Sequence, residues 1–178
     1  HYDRLLADDP RYAARAAEWS RKLRDIHEWL VEIGFRRPVP AEGAAGPGAV
    51  TYHEACHLCH GQGITRQPRE LLRAIPGLEL VELPESTWCC GSAGVYNITQ
   101  PETSRRLLNR KLGHIHDTGC RTVATSNPGC MVQLESGLRE KSGREGTRKV
   151  RHTISLLAEA YRGEAGAGNR VAKSERPG

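Results

Sequence analysis

The residues best suited to chemistry in this 178-residue chain are its six cysteines, at positions 56, 59, 89, 90, 120 and 130. All lie in the middle of the chain among glycines and histidines, a placement that points to ligands rather than staples. Cys89 and Cys90 are adjacent, and a disulfide between neighbours would close a strained small ring. A single zinc ion usually takes ligands spaced further apart along the chain. A multi-iron cluster presents several metal atoms, so neighbouring thiolates can reach different irons. Gly91 and Gly94 would let the backbone turn closely around such a core and offer amide donors to its sulfide.

Other chemistries compete for the same residues. Cys56-His57-Leu58-Cys59-His60 fits the C-x-x-C-H pattern of c-type haem attachment. That reading needs a further axial ligand, Met131 or another histidine, and leaves Cys89, Cys90 and Cys130 unexplained. Cys56 and Cys59 also spell a thiol–disulfide signature, which usually opens a helix. Gly61 and Gly63 argue against a helix there. His53, His57 and His60 crowd the same loop; a ring nitrogen could serve a metal centre, and the plainer reading is that they bond backbone. Trp88 beside the cysteine pair reads as a shield against water or as core.

The elements that position these groups follow from periodicity. Trp19, Leu23, Ile26, Leu30 and Ile33 form one stripe, which predicts a helix over 11–34, stopped by Gly34 and Pro38. Residues 36–49, with three prolines among glycine and alanine, read as a linker. Val50–His53 is a strand candidate leading into Cys56. A short helix is expected over 68–75 from Pro68, and a strand over Leu78–Leu83. The stretch from Trp88 to Gly94 is a loop. Thr99 and Glu102 suggest a capping box before a helix bearing Leu108, Leu112 and Ile115, closed at Gly119. Arg121–Thr125 is a third strand, Asn127–Cys130 a turn, and a helix with Val132, Leu134 and Leu138 follows. Residues 142–149 read as a charged break, Ile154–Tyr161 as a last helix, and 163–178 as disordered. Strands alternating with helices from residue 50 imply an α/β fold, a small mainly parallel sheet with flanking helices, the amino-terminal helix packed on it. Cys56, Cys89-Cys90 and Cys130 each follow a strand, so their loops would meet at the carboxyl rim, where such sheets bind ligands.

The net charge of +5 resides in the stretch from Arg139 onward, with ten Lys/Arg against five Glu. No aromatic–basic platform accompanies it, which argues against nucleic acid. No apolar run is long enough for an integral membrane segment, which leaves peripheral membrane contact open. No signal-peptide pattern is present, and the sole methionine is Met131, so the chain reads as a fragment or a processed form.

Three stretches carry a resemblance: Thr51 to Leu58, Leu83 to Gly94, and Asn127-Pro128-Gly129-Cys130. They resemble the cysteine-rich family named for its Cys-Cys-Gly motif, and within it the iron–sulfur subunits of glycolate oxidase. The likeness runs from the first helix to about residue 161. It implies a [4Fe–4S] cluster, with zinc as the alternative, on Cys56, Cys89, Cys90 and Cys130. Asn127 stands where the family motif has a further cysteine. The resemblance divides the chain into a helical lead-in (1–37), a linker (38–49), a cysteine-rich iron–sulfur domain (50–162) and a disordered tail (163–178). It implies electron transfer from a flavin-containing subunit to an acceptor, in the cytoplasm or at the inner face of the membrane, with upstream ferredoxin-like clusters missing here. No flavin fingerprint G-x-G-x-x-G follows a strand, so substrate chemistry would belong to another chain. A docking domain with zinc or no metal is the second reading.

Overall fold

In the computed structural model the described residues are 2–40, 43, 45–141 and 148–174, with backbone alone described from 165 to 174. The chain forms two compact units, His1–Phe35 and Arg36–Gly178. The first holds α1 (Tyr2–Leu5), α2 (Ala13–Lys22) and α3 (Ile26–Glu32). The single helix expected over 11–34 is therefore broken. Leu23 leaves α2 with extended backbone, and the Asp25 carboxylate caps α3 by accepting the His27 amide at 2.9 Å. A capping carboxylate satisfies an orphan amide at the start of a helix, so a new helix begins where the old one could have continued. The predicted stripe is not a buried one: Trp19, Leu23, Ile26 and Ile33 are exposed, whereas Ala16 and His27 are buried.

The second unit is built on β1 (Gly48–His53), β2 (Leu78–Val81), β3 (Thr122–Thr125) and β4 (Lys149–His152). All three pairings are parallel, in the order β2-β1-β3-β4. Around them run α4 (Arg66–Arg73), α5 (Tyr96–Thr99), α6 (Pro101–Asp117), α7 (Pro128–Lys141) and α8 (Thr153–Ser174). The expected α/β architecture with a parallel sheet is thus the observed one. Val50 to His53 and Val123 to Thr125 are buried without alternation, as parallel strands covered on both faces must be. Leu108, Leu112 and Ile115 of α6 join Leu134 and Leu138 of α7 in one core with Val123 and Val150.

Several local expectations are corrected. The fourth strand, β4, was not anticipated, and part of the expected charged break, residues 142–147, lies outside the described residues. Thr99 and Glu102 form no capping box: Gln100 is the cap residue and makes no side-chain bond, while the Thr99 hydroxyl donates to the Val95 carbonyl. Helix α4 starts at Arg66, ahead of Pro68, and Val132 of α7 is exposed. Helix α8 extends to Ser174, beyond the boundary expected at 162, and residues 175–178 lie outside the described residues. No helix among the described residues is long and apolar enough to cross a membrane.

Candidate metal centre

Strand order fixes where the loops converge. The chain leaves β1 toward β2, then crosses back to place β3 on the other side of β1. The carboxyl ends of β1 and β3 therefore flank a topological switch point, where a crevice opens naturally. Cys56 follows β1, Cys89-Cys90 follows β2, and Cys130 follows β3 in the first turn of α7. Their side chains form a continuous row: Cys56 touches Cys89, Cys89 touches Cys90, and Cys90 touches Cys130. All six cysteines are free thiols.

The backbone around the pair is shaped for close approach. Gly91 has φ +90°, and its amide donates to Cys89 Sγ at 3.3 Å. Its carbonyl accepts from the Ser104 hydroxyl at 2.8 Å, and a Cβ at this position would lie 2.4 Å from the Ser104 carbonyl oxygen. Only glycine meets both conditions, so the Cys-Cys-Gly turn is seated directly on α6. After Cys56 the chain makes a π-helical turn, His57–Gln62, closed by Gly63 in the left-handed region. The expectation of no helix there is corrected. Cys59 lies on this wide turn, and its Sγ donates to the Cys56 carbonyl. Cys120 is buried at the opposite end of β3, where its thiol donates to the Thr118 carbonyl.

Asn127 is not idle. Its Oδ1 accepts the Cys130 amide at 3.0 Å, which caps α7 at the residue that presents the sulfur. Its Nδ2 lies 3.4 Å from His57 Nδ1.

Electrostatics explain what the row lacks. The thiol contact with Cys90, then burial, pushes the Cys89 thiol well up. Contact with Cys130 leads the causes that push Cys90 up to about 12. Burial, then the neighbouring Cys89 charge, raises Cys56. Adjacent thiolates in a poorly solvated site repel each other, so Cys56, Cys89 and Cys90 stay protonated unless a cation compensates them. One buried ammonium, that of Lys111, interacts electrostatically with Cys90, Cys89 and Cys130. It is 1 % exposed, donates to the Glu85 and Ser86 carbonyls, and is lowered to about 8, chiefly by burial. Glu85 and the thiols Cys90, Cys89 and Cys130 act on it in the opposite sense.

The three histidines separate. His57 and His60 are exposed, whereas His53, the last residue of β1, is 1 % exposed. Neither of its ring nitrogens makes a well-aligned hydrogen bond to protein, and the Ser86 backbone is the polar group beside the ring. Its ring nitrogen and the sulfurs of Cys90 and Cys130 all lie within 4.8 Å of one another. Burial, then the Lys111 charge, lowers its imidazole to about 3. Trp88 is 46 % exposed, with the Arg110 guanidinium 4.8 Å from the ring centre, so it is not core.

Lys111 was missed in sequence. It lies between Leu108, Leu112 and Ile115 on the apolar face of α6, and a lysine on such a face is the signal that could have found it. The same holds for Glu54, buried beside Cys59's loop and paired with Arg69 at 2.6 Å.

Residues 50–135 match the family described as the cysteine-rich domain. The matched stretch holds β2, β3 and all four cysteines of the row. The chain is 39% identical over 159 residues to "Probable glycolate oxidase iron-sulfur subunit" of Bacillus subtilis, which spans 89% of this chain and 35% of that protein. It is 32% identical over 156 residues to "Lactate utilization protein A" of Shouchella clausii, covering 88% of this chain and 63% of that protein. The protein of the same name from Oceanobacillus iheyensis is 31% identical over 157 residues, with 88% and 62% covered. The chain therefore spans about a third to under two thirds of the relatives it matches.

Proposed function

We propose that the cysteine-rich domain holds an iron–sulfur cluster of the [4Fe–4S] type on Cys56, Cys89, Cys90 and Cys130. The chain would then be part of an electron-transfer subunit. One observation carries this reading: four thiols from three loops meet in one row at the switch point, and burial together with contact between thiols raises Cys56, Cys89 and Cys90. Four thiolates match the ligand number of a [4Fe–4S] cluster, and the Gly91 amide already donates to one of the sulfurs. Such a cluster supplies one-electron redox chemistry when bound. The chain's own residues bring the sulfurs together, cap the helix that presents Cys130, and place a buried ammonium nearby.

The names of the relatives extend the proposal to a complex that oxidises a 2-hydroxy acid, glycolate or lactate. A flavin-containing partner subunit would perform that oxidation, and this chain would pass the electrons onward. A cytoplasmic site, free or at the inner face of the membrane, suits thiols that must stay reduced. The second reading is a zinc-holding docking domain. The compact His53–Cys90–Cys130 set favours it, because three donor atoms within 4.8 Å match a single ion.

Anaerobic purification followed by iron, sulfide and zinc analysis separates the two. We expect about four iron and four sulfide per chain, an EPR signal on dithionite reduction, and loss of both in Cys89→Ala/Cys90→Ala. One zinc without sulfide would overturn the iron–sulfur reading.

A further inference from the structure

We propose that His53 is itself a ligand of this metal centre, its ring nitrogen binding metal beside the Cys90 and Cys130 sulfurs. The inference deepens the metal-binding reading and rests on it. Three observations converge. His53 is held by the sheet rather than by a loop: it pairs with Thr125 across β1 and β3, so its backbone is fixed at the rim where the sulfurs gather. Its side chain is 1 % exposed, and neither ring nitrogen makes a well-aligned hydrogen bond to the protein. The nitrogen and two sulfurs lie mutually within 4.8 Å.

The chemistry of imidazole decides the role. A neutral ring carries one N–H and one lone pair. Leaving the lone pair without a partner in the core is unfavourable. Coordination satisfies the lone pair, and the remaining N–H is then free for a second partner. A histidine that ligates a metal commonly donates its other N–H to a backbone carbonyl. The backbone of Ser86 is the polar group beside the ring that favours a proton on it, and its carbonyl already accepts from the Glu54 amide. A hydrogen bond from the ring to sulfur alone would leave the lone pair without a partner. His57 and His60 are exposed and Cys59 bonds the Cys56 carbonyl, so these neighbours do not compete for the position.

Metal binding at this set releases the two thiol protons and none from the neutral imidazole. Replacing a thiolate by imidazole removes one negative charge from the centre, which raises its reduction potential. The native centre should therefore sit at a higher potential than the His53→Cys variant, which supplies a thiolate instead.

The test is pulsed EPR of the dithionite-reduced, anaerobically purified full chain grown with 15N-histidine. We expect a directly coordinated 15N coupling, retained in His57→Ala and absent in His53→Cys, which still holds iron and has a lowered midpoint potential. A loaded centre without that coupling, or with it unchanged in His53→Cys, would overturn the assignment. Should the chain hold zinc instead, X-ray absorption at the zinc edge reads the same ligand. Nitrogen in the inner shell that is lost in His53→Cys would keep His53 as a ligand while removing the iron–sulfur reading. A zinc shell with no nitrogen, or a chain that takes up neither metal, overturns the proposal.

Discussion

At Asn127 a carboxamide does the work of a helix cap. The Oδ1 accepts the Cys130 amide, so the residue orients a sulfur without offering one. Asn127→Ala should lower the stability of the metal-free protein by about 1 kcal/mol, and Asn127→Asp, which keeps the acceptor, by much less. Urea unfolding at pH 7 measures both. His53 carries the residue-scale prediction for pH. The unfolded chain protonates this imidazole near its ordinary value of 6.5, whereas the folded protein does so only at about 3. Between those values the unfolded state binds more protons, so acid favours it. The stability of the metal-free protein should fall as pH drops from about 6.5 toward 3, by at most about 1.4 kcal/mol per pH unit from this group. A His53→Gln variant should show a shallower slope in denaturant titrations at pH 7, 6 and 5; an identical slope would contradict the buried neutral imidazole.

At the scale of elements, α6 and α7 support the site jointly, since α6 seats Gly91 and α7 carries Cys130. Their packing depends on Gly137, where an added Cβ would lie 2.7 Å from Leu112 and 2.9 Å from Leu108 side-chain carbons. Gly137→Val should destabilise by about 1–3 kcal/mol through overpacking. Gly113 of α6 has nothing within 4 Å of an added Cβ, so Gly113→Ala should stabilise by about 0.5–1 kcal/mol through helix propensity alone. Thermal melts of the two variants test the pair of opposite signs. The parallel α/β arrangement was legible because Val50–His53 and Leu108/Leu112/Ile115 show their periods plainly. Strand β4 was not, because Lys149–His152 contains one apolar residue, Val150, and reads as charge. The break between α2 and α3 was hidden by an apolar stripe that continues through it, although Asp25 is a cap signal in its own right. The cysteines announced the site by type and spacing. The isolation of His53 was invisible, because a sequence names a side chain and not the absence of its partners.

For the whole molecule, the thiol row and His53 concentrate poorly satisfied polar groups at one rim of the sheet, beside the buried Lys111 ammonium. A fold with that arrangement gains stability from any cation that binds only its native form. Metal at a hundredfold excess over its Kd should add about 3 kcal/mol, read as a higher urea midpoint. Chelation should reverse the gain, and Cys90→Ser should abolish most of it.

The three loops that supply the sulfurs also set a calendar for biosynthesis. Cys56 and the Cys89-Cys90 pair leave the ribosome well before Cys130, and Asn127, which orients Cys130, emerges with it. A nascent chain stopped short of β3 exposes three of the four thiols with no fourth neighbour and no strand β3 beneath them. Complete metal loading is thus an event of the finished domain, and until then the exposed thiols need protection from oxidation by the cell's reductants or by a carrier that delivers the metal.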